Sequence, residues 1–331
     1  MKPEPRMTAD ATSATAAPAR DNGRGIAFLV AGVAVFSVQD LILKLLSGGY
    51  PLHQAMVLRS LTAIPFLLAL VWYDGGPRTL ITPGWMRMVR RGLIMFVAYT
   101  SYYLALAALP LATTVALYFA APLFITVLSV VMLDEHVGPR RWIAVLAGFA
   151  GVIIMVRPGS SLFDWAALLP VLSGLTYGLS MIDARRQGVT QTAAALAFWG
   201  NIVFLVCALA LSVVFGTGAF EGDAHKSLAF LTRGWVWPPL PDLLMMMACG
   251  VIAAAGLTLL TQAYRIAQSN VVAPFEYSGM VWGVLYGWLF WRDWPDALGW
   301  TGIAIIVGAG LYVLYRENTG RRGTSGAAPS A

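Results

Sequence analysis

Ten apolar runs near the length needed to cross a bilayer as a helix occupy most of this chain, the fifth short and the seventh long. They cover residues 25–46, 52–72, 91–108, 111–132, 141–156, 165–183, 189–216, 242–264, 270–291 and 298–316. A spanning helix needs about 17–25 mostly apolar residues. Backbone in hydrocarbon must close its own hydrogen bonds, so runs of this length are expected to be helical. Charged residues make up 11% of the chain, against about 25% in a soluble domain. With so few, 331 residues cannot cover their own surface with polar groups. The expected fold is an all-α integral membrane bundle of ten helices, the third and fourth joined by a tight hairpin at Pro110.

The 22 lysines and arginines are distributed by side. With the N-terminus placed in the cytoplasm, the inner segments carry four, four, two, two, one and three, 16 in all. The outer segments carry only Arg157, Lys226, Arg233 and Arg292, and Lys44 and Arg59 fall within runs. This asymmetry places both termini in the cytoplasm, as expected in an inner membrane. The formal charge of +6 is scattered singly and in pairs, with no basic block or aromatic RNA-reading motif, so no nucleic-acid partner is implied. Cys207 and Cys249 sit inside apolar runs, as buried small residues do. Residues 1–24 lack the apolar core and cleavage site of a signal peptide. They and residues 317–331 read as disordered cytoplasmic tails.

The stretches YYLALAALPLATTVALYFAAP (102–122) and DEHVGPRRWIAVLAGFAGVIIMVRP (134–158) align thinly with the C-terminal region at an offset of 159. Ala108 falls on Ala267, Tyr118 on Tyr277, Asp134 on Asp293, Gly151 on Gly310 and Arg157 on Arg316. The two copies each hold five runs, 25–158 and 159–316, so the second is expected to be inverted in the membrane. These segments resemble the EamA repeat of the drug/metabolite transporter superfamily. That repeat has a helix hairpin, an acidic turn, a basic-aromatic return and a Gly-rich last helix. Here the acidic turn is Asp134-Glu135-His136 in one copy and Arg292-Asp293-Trp294 in the other, and the loop after the seventh run is longer than usual. The resemblance implies an inverted five-plus-five repeat with a substrate cavity between the halves. It also implies a substrate range of amino acids, S-adenosylmethionine-like zwitterions and flavins or other aromatic nutrients.

Charges within runs mark candidate sites, because an ionised group near the bilayer centre costs about 2.5–3.5 kcal/mol on insertion scales. At about 1.5 Å per residue, Asp40 lies roughly 9 Å and Arg59 roughly 10 Å below the same surface. The pair is expected to meet, either as a substrate-binding couple or as a structural ion pair between neighbouring helices; the sequence leaves both open. Lys44, one turn further on, is expected to snorkel at the helix end. Glu276 lies roughly 9 Å above the opposite end, level with Gln262 and Arg265. A carboxylate short of water takes up a proton more readily, so Glu276 and Asp40 are candidates for proton coupling; a structural pair with Arg265 explains Glu276 almost as well. Asn201 falls mid-span. Tyr102, Tyr103, Tyr118, Tyr177, Trp199, Trp282 and Tyr286 are together candidate cavity aromatics, though any one of them taken alone is more readily explained as ordinary packing.

Enzymatic readings find little support. His53, His136 and His225 are far apart with no metal-binding spacing, and no nucleophile elbow or P-loop is present. No cofactor or metal is implied. The expected function is secondary transport of a small organic metabolite by alternating access, with a proton as the default coupling ion. The alternative is a non-transporting membrane subunit or scaffold.

Overall fold

The computed structural model describes residues 21–81, 83–187, 192–222 and 225–325. Among these the chain is helical throughout, without strands: α1 Asn22–Leu46, α2 Leu52–Tyr73, α3 Trp85–Ala108, α4 Leu111–Tyr118, α5 Ala121–Leu133, α6 Pro139–Val156, α7 Leu168–Gln187, α8 Ala193–Phe215, α9 Lys226–Thr232, α10 Leu240–Ile266, α11 Ser269–Val272, α12 Gly279–Trp291 and α13 Ala297–Ser325. Counting α4 with α5, nine of these stretches are long and apolar enough to cross a membrane. The start of the expected run 189–216 falls partly on residues 188–191, outside the described residues, as do 1–20 and 326–331. Asn22 to Arg24, expected in the tail, instead begin α1, capped by Asp21, whose carboxylate accepts the Arg24 N–H at 3.0 Å. Likewise α13 continues past residue 316 to Ser325.

The expected continuous helix over 270–291 is broken. Four residues of α11 lead into a 3-10 stretch, Ala273–Ser278, and only then does α12 start. The fourth run breaks in the same way, between Tyr118 and Ala121. Prolines explain both interruptions: Pro122 has no N–H to give the Tyr118 carbonyl, and Pro274 sits at the start of the 3-10 stretch. Adding 159 to Phe119-Ala120 gives Ser278-Gly279, where the second break ends and α12 begins. The helices that follow, α5 and α12, both end on a residue in the left-handed region, Asp134 (φ 53°) and Arg292 (φ 58°).

Packing repeats with the same symmetry. The contact of α1 with α10 has its counterpart in α7 with α3, and that of α2 with α10 in α8 with α3. The pairs α2–α8 and α6–α13 join a helix to its own counterpart. Small residues allow the close approaches, since in lipid packing rather than water exclusion drives helix association. Gly151 faces Ile305 and Ile306, and a Cβ on Gly302 would lie 2.2 Å from Met155 Cγ. One end of the α6–α13 pair is tied by Arg157 and Asp296.

Lys44 does not snorkel. Its Nζ donates to the carbonyls of Leu106 (2.9 Å) and Leu109 (2.6 Å) and lies 5.1 Å from the Trp291 ring. The Leu106 carbonyl would ordinarily receive the N–H four residues on, but residue 110 is a proline and has none. Lys44 therefore supplies the missing donor at the C-terminus of α3, where a cation is also favoured by the helix dipole. A Lys44→Met variant leaves both carbonyls without that donor, at about 1–3 kcal/mol for each buried unsatisfied group. Its thermal midpoint in detergent is expected to fall by several degrees.

Around the same end, the segment after α9 is stitched onto the α1–α2 turn. Arg233 donates to the Ser47 and Tyr50 carbonyls, and Gln54 both donates to and accepts from Val236. Tyr50 hydroxyl donates to Asp242 at 2.5 Å, a bond that raises the tyrosine pKa because it stabilises the protonated form.

Candidate functional site

The two helix breaks face a cavity of about 240 Å³. Helix α1 supplies Phe36, Ser37, Gln39 and Asp40, and α2 supplies Arg59. Tyr99, Tyr102 and Tyr103 come from α3, Tyr118 and Phe119 from the first break, and Ser173 and Tyr177 from α7. Glu276, Gly279 and Gly283 come from the second break and α12. The breaks matter because unwound backbone tolerates the membrane interior only where it lines a cavity or is buried in protein.

Asp40 and Arg59 line the same cavity but do not form the expected contact. Asp40 Oδ2 accepts a hydrogen bond from Tyr102 hydroxyl at 2.9 Å. Arg59 Nε donates to Gln39 Oε1 at 3.2 Å, and Gln39 Nε2 donates to Tyr103 hydroxyl at 2.9 Å. The Arg59 guanidinium carbon lies 5.1 Å from the centre of the Phe204 ring, a cation–π contact. Each charge thus acquires its own neutral partner, Tyr102 of α3 for Asp40 and Gln39 of α1 for Arg59.

Glu276 accepts from Tyr264 hydroxyl of α10. Its other expected partner, the Arg265 side chain, lies outside the described residues. Glu276, Tyr118, Phe119 and Tyr177 also line a second cavity of about 440 Å³, which reaches Thr126, Ser129, Glu135 and Arg141. These four residues stand between the two cavities. Their rings are in contact: Tyr118 meets Tyr177 at 5.9 Å and Tyr102 at 5.3 Å, and Phe119 meets Tyr277 at 4.7 Å between centroids.

Other expected site residues sit elsewhere. Asn201 donates to the Ser60 carbonyl at 3.0 Å, holding α8 to α2. Trp199 donates to the Leu80 carbonyl and packs on Trp85. Trp282 and Tyr286 pack on each other outside both cavities. An Asn201→Ala variant removes one interhelical hydrogen bond, about 1 kcal/mol. It is expected to lower the thermal midpoint slightly while leaving ligand-induced shifts unchanged. Gln39, Tyr99 and Phe119 line the cavity and Tyr264 holds Glu276 without a distinguishing mark in the sequence. The only available signal for Gln39 was its position beside Asp40 in a run otherwise poor in polar groups.

Comparison with known proteins places this architecture. The EamA-like transporter family matches residues 23–157. A riboflavin transporter of Rhizobium johnstonii is 31% identical over 231 residues, 70% of each chain. An S-adenosylmethionine uptake transporter of Rickettsia prowazekii is 25% identical, covering 88% of this chain and 93% of its own. The pseudopaline exporter CntI of Pseudomonas aeruginosa is 26% identical over 86% of this chain and 93% of its own. A crystal structure 19% identical in sequence shares the fold with a TM-score of 0.58, covering 88% of this chain and 98% of that one. The chain is a multi-pass membrane protein of the EamA-like transporter family, in the drug/metabolite transporter superfamily.

Proposed function

We propose that this chain is a secondary transporter that carries a small charged or zwitterionic organic metabolite across the inner membrane by alternating access. The observation that carries the reading is the cavity at the paired helix breaks, where Arg59, Asp40 and a set of tyrosines converge. Buried charges are expensive in a membrane interior and are retained where they meet a substrate or ion. Relatives named for riboflavin, S-adenosylmethionine and pseudopaline all handle small organic molecules, which supports the class.

In this reading the halves are 25–158 and 159–316, inverted with respect to each other, and both termini face the cytoplasm. Rocking of one half against the other would open the central cavity first to one face and then to the other. The second cavity is then the cytoplasmic vestibule, because it reaches the Asp134–Gly138 turn, and Tyr118, Phe119, Tyr177 and Glu276 are the partition that must open. Glu276, placed in that partition, carries the coupling proton, with Asp40 as the second candidate.

The test is flux in proteoliposomes of purified protein, beginning with S-adenosylmethionine, riboflavin and amino acids. Saturable uptake above that of protein-free vesicles is expected. A compound that binds the protein tightly yet never crosses, in either direction and with or without a proton gradient, would overturn the transport reading.

A further inference from the structure

We propose that the substrate docks a carboxylate end-on against the two terminal amines of Arg59, and that Gln39 is the positioning residue that aims them; this deepens the transport reading and rests on it. Arginine carries five N–H donors and no acceptor. One of them, on Nε, is taken by Gln39, and one face of the guanidinium lies over Phe204. No acceptor is found for Nη1 or Nη2 among the described residues, and no acidic oxygen lies within 4.0 Å of the group. Yet Arg59 is only 9% exposed and lines the cavity. Neither terminal amine is sealed from it, since Nη1 and Nη2 are not among the buried atoms left without a partner. Among the described residues no carboxylate touches this cation, which is nine-tenths buried and borders the cavity.

The direction is fixed by what holds it. Gln39 is 2% exposed and Tyr103 1%, so the chain from Tyr103 to Gln39 to Arg59 Nε has little room to turn. With the Nε edge occupied, the remaining fork is the Nη1–Nη2 edge, whose spacing matches the two oxygens of a carboxylate. A doubly charged phosphate fits less well. It needs a second cation, and the nearest lysine on α1, Lys44, is already committed to the Leu106 and Leu109 carbonyls. Asp40, on the same cavity wall, would also repel a dianion. Its Oδ2 is held by Tyr102 while Oδ1 has no partner among the described residues, so it offers a seat for the ammonium of an amino-acid-type head group.

The experiment measures thermal shifts of the full chain in detergent against S-adenosylmethionine, riboflavin and the common amino acids, each amino acid paired with its carboxamide. At least one free carboxylate is expected to bind, at least tenfold more tightly than its carboxamide, and to lose at least tenfold in Arg59→Gln. Because Arg59→Gln can also weaken the fold, Gln39→Glu is the second variant. It neutralises the guanidinium from the Nε edge, so heat stability without ligand should match or exceed wild type while affinity for added carboxylates falls at least tenfold. A purely structural Arg59 would not produce that split. The proposal is overturned if no carboxylate binds, if carboxamides bind as well as carboxylates, or if Gln39→Glu keeps the full response. Flux separates this from the transport reading. Carboxylates that bind through Arg59 and never cross would sink transport alone. Uptake of riboflavin, which has no carboxylate, that is unaffected in Arg59→Gln would sink this proposal alone.

Discussion

Substituting leucine for Gly250 is expected to leave almost no folded protein in detergent extracts. Helices α2 and α10 touch backbone to backbone at this point. A Cβ on Gly250 would lie 2.1 Å from Thr62 Oγ1, 2.3 Å from the Arg59 carbonyl oxygen and 2.8 Å from the Ala63 nitrogen. Two of those atoms are main chain and cannot swing aside. Thr62 also bonds across the seam to the Met247 carbonyl at 2.9 Å, a bond that separation of the helices would break. Overpacking of a tight core costs about 1–3 kcal/mol and more where nothing can yield. Because Arg59 sits on the seam, any helix displacement that rescued folding would also move the cavity. Fluorescence-detected gel filtration across a heating series gives the readout, with Gly250→Ala intermediate. Gly308→Ala is the control: nothing lies within 4 Å of its would-be Cβ, and it should fold at least as well as wild type, since alanine is the better helix former.

Glu276→Gln is expected to abolish concentrative, proton-driven uptake while leaving exchange of substrate for substrate. The carboxylate lies in the partition between the two cavities and is held by Tyr264, so it can face either space as the partition opens. A carrier that must load a proton there runs faster as the pH on the loading side falls, and slower as that pH rises and the carboxylate empties. Glutamine keeps the shape and a hydrogen-bonding oxygen but cannot release a proton. Its exchange rate should therefore be flat across the pH range in which the wild type changes. If the variant still transports and keeps the wild-type pH dependence, Glu276 is not the coupling group, and Asp40→Asn becomes the next test.

Apolar run length locates the spans because bilayer thickness fixes it, and nine of the ten expected runs carry helices long and apolar enough to cross a membrane among the described residues. The two interruptions escape such a reading, since a run such as 270–291 is apolar throughout whether its backbone is one helix or three pieces. The repeat shows in the sequence as five thinly matched residues, and under the same offset the first break, Phe119-Ala120, falls where the second one ends and α12 begins. Depth along a helix brought Asp40 and Arg59 into one cavity. It does not give their partners, because depth says nothing of rotation about the helix axis or of which neighbouring side chain reaches each charge. That is how Tyr102 and Gln39 came to stand where a direct ion pair was expected. The role of Lys44 is hidden for a similar reason: it depends on a carbonyl stranded by Pro110, more than sixty positions along the chain. Asn201 and Trp199 have the right depth but serve the α8 interface.

The most direct test of a central, alternately exposed cavity is thiol labelling at Ser37, which lines it and is 8% exposed. A Ser37→Cys variant, with Cys207 and Cys249 replaced by serine, would be treated in oriented vesicles with a small membrane-impermeant thiol reagent added to one face at a time. Alternating access predicts reaction from both faces, while the vesicles themselves stay sealed to the reagent. Reaction from neither face, or from one face only under every condition, would contradict it.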